Sequence, residues 1–138
     1  MATALPNGRE KELHIESVDV GGLTWINIQK PTTEEISYLQ QHYPFHPLDL
    51  EDCLKRNQRP KIDEYNEYLF TVLHFPVFNR AARVTIHSEV DIFIGPNYLI
   101  TLHAGDLRPL TRTFKECQDD PEFQSRLKSD LQTSRDIL

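Results

Sequence analysis

Glycine is scarce in this chain, with five residues in 138. Phosphate-cradling loops, dinucleotide fingerprints and nucleophile elbows are built on clustered glycines, and none of these motifs is present. Cysteine is scarcer. Cys53 and Cys117 stand alone, too few for a disulfide scaffold and wrongly spaced for a zinc knuckle, so a reducing, cytosolic setting is expected. Long apolar runs are missing too. The longest stretch free of charged side chains, Ile92 to Gly105, is split by Gly95-Pro96-Asn97, whereas a membrane span needs about 18–20 apolar residues. The start, MATALPNGREKE, has no basic region followed by an apolar run, so no signal peptide is visible. Positive charge is also short: 15 Lys and Arg against 21 Asp and Glu leave −6. No excess of cations exists to neutralise a phosphate backbone, which argues against nucleic-acid binding.

What is present suits one somewhat polar globular domain, 38% hydrophobic and 26% charged. A chain of this length buries about two-thirds of its unfolded surface. Residues 1–11 read as a mobile arm and residues 12–138 as the domain. Leu13 and Ile15 alternate with polar neighbours as in a strand, and Gly21-Gly22 turns into a second strand at Thr24–Ile28. Thr32 with Glu35 three residues on is a capping-box signature. It opens a helix with Ile36, Leu39 and Tyr43 on one face. Pro47 starts a shorter helix, with Asp49, Glu51 and Asp52 early, Lys55 and Arg56 late, and Leu50 and Leu54 expected to define the buried side.

From Glu67 to Phe78 both alternating sets are apolar, which predicts a strand buried on two faces. From Val84 to Ile94 one set (Val84, Ile86, Val90, Ile92, Ile94) is apolar and the other (Arg83, Thr85, His87, Glu89, Asp91) is expected to be largely wet, at least at the strand's start. Gly95-Pro96-Asn97 turns into a hairpin partner at Tyr98–His103. Leu107, Leu110, Phe114 and Cys117 then follow helical spacing. Asp119-Asp120-Pro121 breaks that helix, and Phe123, Leu127 and Leu131 begin another, in mid-course at Leu138. The sum is an α/β fold, a mixed sheet flanked by helices.

Candidate chemistry is thin. His42 and His46 are four apart, a metal-ligand spacing on a helix, but Pro44 and Pro47 interrupt any helix between them. Cys53 reads as a buried structural thiol. His87, Glu89 and Asp91 share one strand face, a weak candidate for metal-dependent hydrolysis. The triplet Asp49, Glu51 and Asp52 stands out. Glu51 to Lys55 and Asp52 to Arg56 are four apart in the favourable order for helix ion pairs. The same carboxylates have the oxygen chemistry for Mg²⁺, which keeps several waters and often uses one or two carboxylates.

Trp25-Ile26-Asn27-Ile28 followed by Pro31, His46-Pro47-Leu48-Asp49-Leu50-Glu51-Asp52, Gln58-Arg59-Pro60-Lys61, Tyr65 to Phe70, and Glu89-Val90 through Thr101-Leu102-His103 occur in this order. Together, over roughly residues 24–104, they resemble the N-terminal cytoplasmic domain of CorA-type magnesium transporters. The resemblance implies a soluble helix–sheet–helix sandwich that belongs to a membrane pentamer. It implies Mg²⁺, and often Co²⁺ or Ni²⁺, as the transported ion, and regulatory Mg²⁺ at subunit contacts on the cytoplasmic side of the inner membrane. It places sensing carboxylates at Asp52 and, assisting, Glu51. A related branch carries zinc. The Gly-Met-Asn pore motif and the transmembrane helices are absent from this sequence, as is the long helix expected to supply an opposing carboxylate. Asp52 is thus expected to be half a site, self-association to need the full-length protein, and divalent binding by this chain to be weak. A different class of reading is a free-standing binding module that docks a partner through Lys55 to Lys61.

Overall fold

Residues 13–137 are described by the computed structural model, with side chains to residue 130; the arm expected at 1–11 and the side chain of Leu131 lie outside the described residues. Two short strands open the fold, β1 (Ile15–Val20) and β2 (Leu23–Gln29), joined at Gly21-Gly22. Both glycines have positive φ, the backbone such a tight reversal requires. Helix α1 (Thr33–His42) begins at the expected capping box, with the Thr32 N–H donating to Glu35 Oε1 at 2.7 Å. Helix α2 (Pro47–Lys55) follows, with Pro47 in its first turn and His46 Nδ1 accepting from the Leu48 N–H.

A four-residue strand, β3 (Lys61–Glu64), comes next, then β4 (Leu69–Asn79), β5 (Val84–Ile94) and β6 (Tyr98–His103). Helices α3 (Arg108–Asp119) and α4 (Pro121–Ile137) close the chain. Asp120 makes the break between them, its Oδ1 accepting from the N–H groups of Glu122 and Phe123. Strand order is β1-β2-β6-β5-β4-β3. Only β2 and β6 are parallel, Thr24 pairing with Tyr98 and Gln29 with His103; the other neighbours are antiparallel. The mixed sheet flanked by helices is therefore the fold.

Each face of the sheet has its own core. Under α1 and α2, Ile26, Ile28, Phe70, Val72, Phe93, Ile100 and Leu102 meet Ile36, Leu39, Phe45 and Leu50. Phe45, in the link between the two helices, stacks on Phe93 at 4.0 Å between ring centroids. On the opposite face, Trp25 packs edge-on against Phe114 at 4.9 Å, with Cys117 buried beside them. Polar groups within this side are bonded: Trp25 Nε1 donates to Thr101 Oγ1, which donates to Asn27 Oδ1.

Three expectations change. β4 is buried on both faces only from Phe70 to Val72; beyond the ends of β3 and β6 the β4–β5 hairpin projects, leaving Leu73, Phe75, Phe78, Val84 and Ile86 exposed. In β5 the charged face is wet only at its start, where Thr85 and His87 are exposed; Glu89 and Asp91 are buried, as is Val90 on the other face, because Asp91 pairs across to Val72 and Leu102 and lies under α2. In α2, Leu54 is exposed, and Asp49, Leu50 and Cys53 form the inner side.

Candidate functional site

Helix α2 splits the acidic triplet three ways. Asp49 points inward and is 2% exposed. Its Oδ2 accepts a 2.8 Å hydrogen bond from the Tyr68 hydroxyl, which itself accepts from the His46 N–H at 2.8 Å. Burial, joined by the Asp49 carboxylate, pushes the Tyr68 phenol well above its ordinary range. Asp49 is thus a packing carboxylate that pins α2 to β4.

Glu51 faces outward and Asp52 lies half-buried on the flank of the helix. Glu51 forms the expected i,i+4 pair, Lys55 Nζ lying 2.9 Å from its Oε1, with both side chains more than half exposed. Such an exposed pair adds little to stability, because water and salt screen it. Asp52 does not pair with Arg56. Its Oδ2 lies 2.8 Å from Nζ of Lys61, at the start of β3, and the same ammonium reaches Asp63 at 3.3 Å. The Asp52 hydrogen bond, against some desolvation and with Asp63 in support, holds the Lys61 ammonium well above the usual lysine range.

Arg56 turns the other way, and its geometry explains why. It caps α2 with a φ of 51°, and Asn57 follows at 73°. These left-handed steps swing the guanidinium under the helix. There Nη2 donates to the Glu89 carbonyl and Nη1 lies 3.7 Å from Asp91 Oδ2. The Gln58 N–H donates to Glu89 Oε1 at 2.7 Å, and the Gln58 carbonyl meets His74 Nε2 at 2.7 Å. Burial, reinforced by Glu89, lifts the Asp91 carboxyl to about 8, although Arg56 opposes the shift. Burial and Asp91 raise the Cys53 thiol well above its ordinary value, as expected for a structural cysteine.

The basic cluster Lys55 to Lys61 is therefore not one docking surface: Lys55 and Lys61 pair with the carboxylates of Glu51 and Asp52, and Arg56 is turned into the domain. His42 and His46 also separate. His42 Nδ1 meets the Tyr38 carbonyl, while His46 caps α2. Among the described residues no group of three or more His, Cys, Asp or Glu side chains is arranged to hold a metal ion, so His87, Glu89 and Asp91 form no such site. The donor chemistry of Glu51 and Asp52, two successive carboxylates of one helix, fits a hard divalent ion held partly through water. Alone they supply too few ligands to enclose it.

Sequence reasoning missed the Arg56–Glu89–Asp91 cluster. Phe93, two residues beyond Asp91 on the same face, was the signal. The aliphatic set at Val90, Ile92 and Ile94 masked it by marking the opposite face as the dry one.

A family model described as "CorA-like Mg2+ transporter protein" matches residues 20–134. A putative metal ion transporter of Bacillus subtilis, YfjQ, is 32% identical over 115 residues, which are 82% of this chain and 35% of that protein. The cobalt/magnesium transport protein CorA of Thermotoga maritima is 30% identical over 95 residues, 65% of this chain and 27% of that one. The soluble domain of CorA from Methanocaldococcus jannaschii shares the fold, with a TM-score of 0.61 at 20% identity over 74% of this chain and 45% of that one. The chain spans about a third of the length of the curated relatives it matches.

Proposed function

Because the chain belongs to the CorA-like Mg²⁺ transporter family, we propose that it is the cytoplasmic regulatory domain of a divalent-cation transporter, with Asp52 as the sensing carboxylate and Glu51 assisting. The domain comprises residues 12–138 and lies on the cytoplasmic side of the membrane, in a transporter that assembles as a membrane pentamer. Magnesium or cobalt is the ion, in keeping with the family and with the cobalt/magnesium transport protein of Thermotoga maritima. One observation supports the site above all. Glu51 is on the outer side of α2 and Asp52 on its half-buried flank, and each is paired with a lysine whose flexible head can swing away.

Within one subunit these carboxylates make half a site; a neighbouring subunit supplies the rest. A bound hard divalent ion supplies the positive charge that lets carboxylates of adjacent subunits approach. Asp52 orients toward the contact because Asp49 and Leu50 fix α2 on the sheet. When the ion leaves, one Lys61 ammonium serves both Asp52 and Asp63, and the negative charge left over on each subunit favours separated subunits, which is the open state. The coupling is a population shift, limited by the difference in ion affinity between the two states. No catalytic step is required.

The test is Asp52→Ala in the full-length transporter, read as inhibition of ion flux by cytosolic Mg²⁺. The substitution is expected to weaken Mg²⁺-dependent closure and leave flux at low Mg²⁺ intact. Unchanged inhibition refutes Asp52 as the sensor.

A further inference from the structure

Where α2 meets β5, the domain buries two carboxylates against one guanidinium. Asp91 is fully buried and Glu89 is 9% exposed. They stand two residues apart on the same face of β5. Both oxygens of Asp91, Oε2 of Glu89 and Nη1 of Arg56 have no hydrogen-bond partner. Buried polar atoms are nearly always paired, and two bare carboxylates with a single cation would leave a net negative charge in the core, which is costly. A proton on one carboxyl eases both problems. It joins one oxygen of Asp91 to Oε2 of Glu89 and brings the two carboxyls to neutrality with Arg56.

Among the described residues Arg56 is the cation that forms an ion pair with these carboxylates, while His87 shares their strand face two residues before Glu89. From α2, Cys53 and Arg56 face Asp91, with Asp49 a turn earlier. From β4, Val72 lies opposite Asp91 and His74 opposite Glu89, with Nε2 of His74 already engaged by the Gln58 carbonyl. From β6, Leu102 lies opposite Asp91. Lys61 is committed to Asp52 and Asp63.

We propose that Asp91 holds a proton against the Glu89 carboxylate, and that its loss loosens the C-terminal end of α2 on the sheet. The link runs through Glu89, whose main-chain carbonyl accepts from Arg56 and whose Oε1 accepts from the Gln58 N–H, the two groups that fasten that end. Deprotonation sets two buried like charges side by side with one guanidinium to offset them, which destabilises the seated arrangement. Protonation thereby sets the seating of the helix that displays Glu51 and Asp52. It does so without a bound ion, so the proposal stands or falls separately from the sensing site.

The sign follows from the raised carboxyl. Between the unfolded value near 4 and the folded value, the folded chain holds a proton that the unfolded chain has lost. Stability therefore falls as pH rises through that window and levels off above it. The thiols of Cys53 and Cys117, both raised, act in the same direction only at higher pH. His103, lowered by burial and by Arg56, affects only the acidic side.

The experiment uses the 138-residue chain in divalent-free buffer. Trypsin cleavage after Arg56 and the urea unfolding equilibrium are followed from pH 7 to 8.5, for the wild type and for Asp91→Asn, which mimics the protonated acid. His74 is common to both proteins and drops out of the comparison. In the wild type, cleavage normalised to an unfolded control and the unfolding constant are both expected to rise, by up to about tenfold per pH unit for one proton. In the variant both are expected to stay flat. Parallel pH profiles overturn the proposal. Should Asp91→Asn fail to fold, infrared spectroscopy of the wild type decides: a protonated-carboxyl stretch at pH 7 that vanishes by pH 9.5 upholds the buried proton, and its absence overturns it.

Discussion

Replacing Lys61 by Met gives the sharpest measure of whether Asp52 can take a divalent ion. In the folded chain Lys61 Nζ occupies one oxygen of Asp52 at 2.8 Å. An ion can bind in two ways. It can take the other oxygen with the ammonium in place, at about 4 Å separation. The repulsion is then ~2 kcal/mol even at the dielectric constant of water, or roughly thirtyfold in affinity. Alternatively the lysine swings out. The Lys61 side chain is 34% exposed, and breaking such a pair costs about 0.2–1 kcal/mol. The cheaper route governs, so Lys61→Met is expected to tighten binding by up to about fivefold rather than thirtyfold. The assay is a Mn²⁺ water-relaxation titration of this chain at low salt, with Mg²⁺ as competitor. Binding by the wild type is expected to be weak, because one subunit supplies half the ligands. Tightening that persists in the Lys61→Met, Asp52→Asn double variant refutes the reasoning, as does no tightening at all.

Two further outcomes test the frame that holds α2. Phe45→Ala, which removes the ring stacked between Phe93 and Tyr43, is expected to cost about 3–5 kcal/mol in a urea melt; a loss under about 1 kcal/mol would mean that the α1–α2 link is not seated as described. Cys53, fully buried with its thiol raised by desolvation, is expected to resist a disulfide reagent in the native chain and react on unfolding, and rapid native labelling would contradict the seating of α2 on β5.

Much of the fold was legible in the sequence because its signals are local. The Thr32–Glu35 capping box, Pro47, the Gly21-Gly22 turn and the Asp120-Pro121 break each announce themselves within four residues, and all appear where expected. β3 escaped notice because four residues show too little alternation, and its place is set by pairing Lys61–Glu64 with β4. The inner part of β5 was misread for a related reason. Alternation shows that two faces differ but not which one a distant helix will cover, and here α2 covers Glu89 and Asp91. The candidate site was half legible. Glu51–Lys55 follows from helix spacing, whereas Asp52–Lys61 depends on the left-handed backbone at Arg56 and Asn57, which turns the expected partner away.

The parallel pairing of β2 with β6 has a consequence for synthesis. Thr24 meets Tyr98, a partner made 74 positions later, and without β6 the β1–β2 hairpin has no neighbour in the sheet. Isolated hairpins are marginal in water. At about 5–20 residues per second, the ribosome leaves Trp25, Ile26 and Ile28 waiting roughly 4–15 s for the strand that completes their cover. The middle of the chain, by contrast, can pair β3, β4 and β5 as they emerge. The last strand made before the closing helices thus joins the β1–β2 hairpin to a finished central meander, and until then the edge of β2 stays unpaired on the nascent chain.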